Sequence, residues 1–387
     1  MHKTPWIYAA VTAFWLGGGA QATDEPTPIT GFINKDQVLK LDLANKKTVK
    51  IEGSFDGIEG FKTFIEKLAQ DSPNLEQFHL AVNPKNKKEI IDVDHAVSLA
   101  NAFEKLNDLK LVWLDRHLLD PKAVNPLIET LKKKKALVSL SLSGNLGTEA
   151  SNMLANNLEQ LPNLKVLFLP NNKVGFEGVQ ALIKALPQLK NLSRLSLSNN
   201  QIGNNGTIAL ANILHDLPNL KILSLKYNDI GDQGAIPLFG ALKNLPNLIT
   251  LNLTKNNIGN KGAKALAKAL KEHWPKIFYK ADSKIHLEDN PIGDDGAADL
   301  LAVLLEKEIV LDIIDWGQAK KDEPDKNKFR KKSVIAKALL KNGVRVTAET
   351  LKDVAKRIIE GGSALKEQVE AIRNQDKEEK DKEEEEE

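Results

Sequence analysis

Few residues in this sequence are arranged for chemistry, and each small cluster also has a plain structural use. Asp92, Asp94 and His95 place two carboxylates and an imidazole close together, a donor set that could ligate a metal ion. An aspartate at a helix start explains Asp92 or Asp94 equally well, because its carboxylate accepts from the unpaired amides of the first turn. Gly259-Asn260-Lys261-Gly262 looks suited to phosphate in isolation, but it falls in a repeated turn and reads as that turn. Asp289 to Gly296 is acidic and lacks the oxygen-ligand spacing of a calcium loop. Lys132 to Lys135 is a basic run ending a helix, where cations suit the dipole and solvent. The patterns H-E-x-x-H, G-x-S-x-G and G-x-x-x-x-G-K-[ST] are absent. There is no cysteine, which excludes disulfides, cysteine-bound zinc, iron–sulfur clusters and thiol nucleophiles. The expectation is a chain with no catalytic residues, no metal and no cofactor, and not an enzyme.

What dominates instead is a repeat. Leu164-x-x-Leu167-x-Leu169-x-x-Asn172-x-Val174-Gly175-x-x-Gly178 recurs from Leu192, Leu220 and Leu248, at a strict 28-residue period. Looser copies begin at Leu75, Leu109 and Leu137, another contains Ile285 and Asn290, and Val49 to Leu68 looks like an atypical first unit. Eight or nine units are expected. Within one unit, Leu195 and Leu197 are two apart and share a strand face, while Ser196 points the other way. Ala209, Leu210 and Leu214 follow at helical spacing. Gly175, Gly203, Gly231 and Gly259 are expected to take a backbone conformation that a side chain resists, in the turn from strand to helix. Asn172, Asn200, Asn228 and Asn256 each carry a donor and an acceptor, and can stack as a ladder on buried turn backbone. Pro162, Pro187, Pro218 and Pro246 stop the helices.

A strand and a helix of this size cannot bury their apolar faces alone, so the units stack. Strands sit about 4.8 Å apart and helices are about 10 Å wide, so the stack bends with the helices outside. The fold class is therefore α/β: a horseshoe solenoid with a parallel concave sheet and convex helices, followed by a short C-terminal helical segment. The pattern resembles the ribonuclease-inhibitor-type leucine-rich repeats over roughly residues 49–305. That resemblance implies protein binding across the concave strands and adjacent loops.

The strand residues facing the concavity are the ones free to vary. They fall in rows six, four, two and one positions before each ladder residue. The row at four reads Trp113, Ser141, Phe168, Ser196, Ser224, Asn252 and His286; the row at two includes Asp115, Ser143, Lys226, Thr254 and Glu288; the row at one includes Arg116, Tyr227, Lys255 and Asp289. Large aromatics on an exposed strand face make interface anchors, so Trp113 and Phe168 with Arg116 and Asp115 are candidate contacts. Lys226, Tyr227 and Lys255 form a basic-aromatic group, and His286, Glu288 and Asp289 an acidic end. The competing structural reading has Trp113 packed on an insertion, or the C-terminal helices covering part of the face.

The ends give the domain plan. His2 and Lys3 precede an apolar stretch from Trp6 to Leu16, then Ala20-Gln21-Ala22, as in a secretory signal peptide; an uncleaved interfacial helix is the alternative. Residues 1–22 are read as that signal, 23–45 as a linker or cap, 46–318 as the solenoid and 319–332 as a charged linker. Helices are expected over 333–374 and a disordered acidic tail over 375–387. An export signal without cysteine points to bacterial export and to a secreted or periplasmic protein, monomeric, acting on a host or envelope protein. The net charge of +2 on 387 residues argues against nucleic acid or a membrane surface as partner. A similarity to the Ran GTPase-activating proteins, in combining these repeats with an acidic tail, gives an alternative function; no catalytic residue of theirs can be matched here.

Overall fold

The computed structural model of the protein describes residues 29–33, 41–55, 57–81, 90–115, 118–273, 283–306 and 314–315. The signal segment, the charged linker, the C-terminal helices and the acidic tail all lie outside these residues, as does Arg116.

Strands and helices alternate. In chain order the strands are β1 (Ile29–Ile33), β2 (Thr48–Phe55), β3 (Gln77–Ala81), β4 (Ile90–Ile91), β5 (Leu111–Asp115), β6 (Leu118–Leu119), β7 (Ser139–Leu142), β8 (Val166–Phe168), β9 (Arg194–Ser196), β10 (Ile222–Ser224), β11 (Thr250–Asn252), β12 (Lys284–His286) and β13 (Ile314–Asp315). The helices are α1 (Gly57–Asp71), α2 (Val93–Lys105), α3 (Val124–Leu131), α4 (Gly147–Leu158), α5 (Gly175–Ala185), α6 (Gly203–Ile213), α7 (Asp232–Ala241), α8 (Asn260–His273) and α9 (Asp294–Glu306). Eleven strands form one sheet in sequence order, omitting β4 and β6, and every pairing in it is parallel. The fold is an α/β leucine-rich-repeat type of solenoid, as the period requires. Strand β1 extends the sheet into the stretch read as a cap, and β4 pairs with β6 in a small separate sheet that the repeat pattern does not signal.

The period-two and period-3.6 patterns land where expected. Leu195, Leu197, Leu223, Leu225, Leu251 and Leu253 are fully buried, each worth about 1.5–3 kcal/mol of transfer from water. In α8, Ala263, Leu266, Ala267 and Leu270 face the sheet while Lys261, Lys264 and Lys268 stay exposed. Short 3₁₀ turns such as Leu214–Asp216 and Leu242–Asn244 close the helices just before Pro218 and Pro246.

The asparagine ladder forms. Asn172, Asn200 and Asn228 are wholly buried, and each backbone N–H donates to the next rung's Oδ1: Asn172 to Asn200 at 3.0 Å, Asn200 to Asn228 at 2.9 Å, Asn228 to Asn256 at 3.0 Å. Each Nδ2 donates back to the previous repeat, to Leu142, Leu169, Leu197 and Leu225 carbonyls at 2.7 to 3.0 Å. Ile258 N–H donates to Asn290 Oδ1 at 3.0 Å, carrying the ladder across the insertion. A second, exposed ladder runs along the other edge, where Asn163, Asn191, Asn219 and Asn247 donate to Lys135, Pro162, Lys190 and Pro218 carbonyls.

The turn glycines divide into two classes, which corrects the uniform expectation. Gly175 and Gly203 have φ of 64° and 62°, the left-handed region that favours glycine. Gly231 does not: its φ is −96°. Its N–H instead donates to Asn204 Oδ1 at 2.8 Å, and Gly259 N–H donates to Asp232 Oδ1 at 2.7 Å. The residue four past one ladder asparagine thus caps the helix of the next repeat. At Phe176 that acceptor is missing, and Gly203 N–H turns to the Asn228 carbonyl at 2.9 Å.

Candidate functional site

The sheet face turned away from the helices carries the candidate site, and the strand register builds it. His79, Trp113, Ser141, Phe168, Ser196, Ser224, Asn252 and His286 are consecutive partners across neighbouring strands. The row anticipated from spacing is a physical row.

Its two ends differ in exposure. Trp113 was expected to be an exposed anchor, but it is only 5% exposed. Its indole Nε1 donates to Ser139 Oγ at 2.8 Å, and its ring stands edge-on to His79 at 5.5 Å between centroids. Asp115 is buried too: its carboxylate accepts from Ser141 Oγ at 2.7 Å and lies 3.2 Å from His79 Nε2. The serine and the histidine both meet the carboxylate, so the serine has no base, and this Ser-Asp-His chain is no nucleophilic triad. Trp113 and Asp115 here hold neighbouring strands together.

The far end is open. Tyr227 is 49% exposed, with Lys255 Nζ 4.9 Å from its ring centroid and 3.3 Å from its hydroxyl. Lys255 also approaches Asp289 at 3.9 Å. Beside them Thr254 Oγ1 donates to Glu288 Oε2 at 2.6 Å, and Glu288 Oε1 lies 3.3 Å from His286 Nδ1. Phe168 and Lys226 are half-buried between the two ends. The hydroxyls of Ser196, Ser198 and Ser224 are linked at 3.1 and 2.8 Å, giving the middle of the face a neutral polar lining.

Backbone conformation singles out Tyr227 and Lys255. Positions just before the ladder are left-handed: Asn171, Asn199, Tyr227, Lys255 and Asp289 have φ between 55° and 61°. Asparagine and aspartate tolerate that region; a tyrosine there costs about 1 kcal/mol or more. With half its surface in water, Tyr227 recovers little of that through packing.

The other clusters resolve as structure. Asp92 caps α2, accepting from His95 N–H at 3.1 Å and lying 2.6 Å from His95 Nδ1. Burial works against the Asp92 carboxylate, yet the His95 hydrogen bonds hold its pKa below the usual range. No group of metal-binding side chains occurs among the described residues. The basic run stitches repeats together: Lys133 pairs with Glu104 at 2.7 Å, Lys134 Nζ donates to the Glu104 carbonyl at 3.1 Å, and Lys135 Nζ to that of Gln160 at 2.9 Å.

Sequence reasoning passed over one residue on this face. Arg194, in the row six before the ladder, is only 9% exposed, and its Nη1 has no hydrogen-bond partner. A lone arginine among strand residues Val166 and Ile222 was the available signal.

Segments 188–211, 216–239, 244–267 and 283–301 match the family model described as Leucine Rich repeat. The matched segments are leucine-rich repeats. Their ladder asparagines, Asn200, Asn228, Asn256 and Asn290, all lie within the matched segments. Among solved structures, one titled "Leiomodin-1 Actin-Binding Site 2 (ABS2)" is similar to this chain at 16% identity, covering 43% of this chain and 91% of that one, with a TM-score of 0.30. Comparison with curated proteins gives no match.

Proposed function

We propose that this leucine-rich-repeat chain is an exported protein-binding scaffold, not an enzyme, that holds its partner on the open strand face. The single observation that carries the reading is Tyr227: a half-exposed aromatic kept on a left-handed backbone beside Lys255. Aromatic anchors with a polar surround dominate interfaces between proteins. The contact surface runs from Phe168 through Lys226, Tyr227 and Lys255 to His286, Glu288 and Asp289. Trp113 and Asp115, buried at the other end of the face, lie outside that contact surface. The export part rests on the apolar stretch Trp6 to Leu16 and on Ala20-Gln21-Ala22, with Thr23 as the first mature residue.

Site-specific photo-crosslinking tests the face. A photoreactive residue at Tyr227 or Phe168 should trap one discrete protein that the same probe at Lys268, 74% exposed on the helix side, does not. Equal trapping from Lys268 sinks the strand-face assignment. Cell fractionation with N-terminal sequencing tests export; recovery of an intact Met1 in the cytoplasm overturns it.

A further inference from the structure

The last helix differs from the others on its outer side. In α5, α7 and α8 the residues two and six past the second turn glycine are exposed: Gln180 and Lys184, Ile236 and Gly240, Lys264 and Lys268. Counted from Gly296, the same positions in α9 are Ala298 and Ala302. Both are buried, Ala298 completely.

The described residues account for only two sides of α9. Leu300, Leu301 and Leu304 join the core. On one flank stands α8, since a Cβ added to Gly296 would lie 2.9 Å from Ala263 Cβ. Ala298 comes two residues later, about 200° round the helix axis, and so faces away from α8. Among the described residues only β13 follows α9, and it pairs with β12 in the sheet. A helix that is apolar on every side belongs under a cover, and here the cover comes from elsewhere in the chain.

The sequence holds a segment with the matching pattern. Residues 347–360 place Leu351, Val354, Ala355, Ile358 and Ile359 at i, i+3, i+4, i+7 and i+8, one apolar stripe. Thr347 suits a helix start and Gly361-Gly362 its stop. So short a helix is marginal in water until its stripe is buried. Lys352 and Lys356, four residues apart, flank the stripe; Asp295 and Asp299, also four apart, adjoin Ala302 on α9. Small alanines on α9 let a second helix with large apolar side chains come close. About 30 residues separate Asp315 from Thr347, a tether of roughly 100 Å when extended, ample for a helix layer about 10 Å from the sheet.

We propose that residues 347–360 dock as a helix on the outer flank of α9, with the stripe from Leu351 to Ile359 against Ala298 and Ala302, and Lys352 and Lys356 towards Asp295 and Asp299. The chain thereby seals the end of its own solenoid, which would otherwise offer an apolar flank to a second copy. The strand face stays open, and the docking is independent of what that face binds.

The chain has no cysteine, so introduced cysteines report alone. On mild oxidation of the full chain, Ala302→Cys should close an intramolecular disulfide when combined with Leu351→Cys or with Ile358→Cys, the pairing that closes giving the helix direction. Combined with Glu349→Cys or Glu360→Cys, on the opposite face of the segment, it should not. By itself, Ala302→Cys should react with a maleimide at least tenfold more slowly than Lys264→Cys, and Leu351→Asp with Ile358→Asp should abolish that difference. Equal reactivity of the two single cysteines, no closure with either stripe position, or equal closure with Glu349→Cys or Glu360→Cys overturns the proposal. So does a disulfide-linked dimer in place of the intramolecular bond, which makes the occupant a second copy. Closure of Ala302→Cys with Leu339→Cys or Phe278→Cys instead assigns the flank to another segment, and closure of Ile358→Cys with Tyr227→Cys moves residues 347–360 to the strand face; either result also overturns it. Partner crosslinking at Tyr227 that persists through such a failure leaves the strand-face reading intact.

Discussion

The side-chain Oδ1 of Asn204 lies 2.8 Å from the backbone nitrogen of Gly231, one repeat further along the chain, and 3.0 Å from that of Gly234. Asp232 and Asn260 do the same for Gly259 with Gly262 and for Gly293 with Gly296. The cap crosses the gap between repeats, so helix ends and solenoid stacking are one interaction.

Gly234→Ala tests that coupling. An added Cβ would sit 2.9 Å from Asn204 Oδ1 and 3.0 Å from its Cα, so the cap or the backbone must move. We expect a loss of about 1–3 kcal/mol in chemical denaturation. Gly240→Ala, in the same helix with nothing within 4 Å, should gain about 0.5–1 kcal/mol instead.

Asn228→Ala should open the ladder. It strands the Asn200 N–H and the Leu197 carbonyl, both buried, at about 1–3 kcal/mol for each. Hydrogen exchange should show the fastest new exchange at Asn200 and Ile202, whose amides both use Asn228 Oδ1. Uniform acceleration across the chain would contradict a local role.

Trp113 separates packing from recognition. Trp113→Phe removes the bond to Ser139 Oγ and should cost about 1 kcal/mol, while Trp113→Ala should cost about 3–5 kcal/mol. Tyr227→Asn should leave Tm unchanged or raised, since asparagine suits the left-handed backbone, yet weaken partner binding at least tenfold. Opposite results at the two positions would exchange their roles.

Glu76 should make stability depend on pH. Hydrogen bonds from Lys110 and then Lys47, at 2.7 and 3.1 Å, hold its carboxyl below the usual 4.5 although burial pushes it upward. The folded pKa is depressed, so the contribution is complete above the unfolded value and fades as pH falls through the folded one. Both lysines are largely exposed, and screening limits the effect to about 0.5–1 kcal/mol. Glu76→Gln should therefore be less stable than wild type at pH 7 and equal to it in strong acid, by urea titration at each pH.

The period, the ladder asparagines and the row from Trp113 to His286 were legible in the sequence alone. Repeats that stack in register convert spacing along the chain into neighbours in space, so a 28-residue period determines which side chains share a row. Spacing does not determine how a side chain leans or what stands beside it. Trp113 has the position of an exposed anchor, but its indole reaches the next strand's Ser139, so it is buried. Gly231 has the same motif position as Gly203, yet its turn differs, because Asn204 supplies a cap that Phe176 cannot. Arg194 reads as an ordinary strand arginine until the strands are assembled and its Nη1 is buried with no partner among the described residues. Backbone periodicity belongs to the sequence. Burial, partnership and the charge left unanswered on the strand face arise only when separate repeats meet, and those the tertiary structure decided.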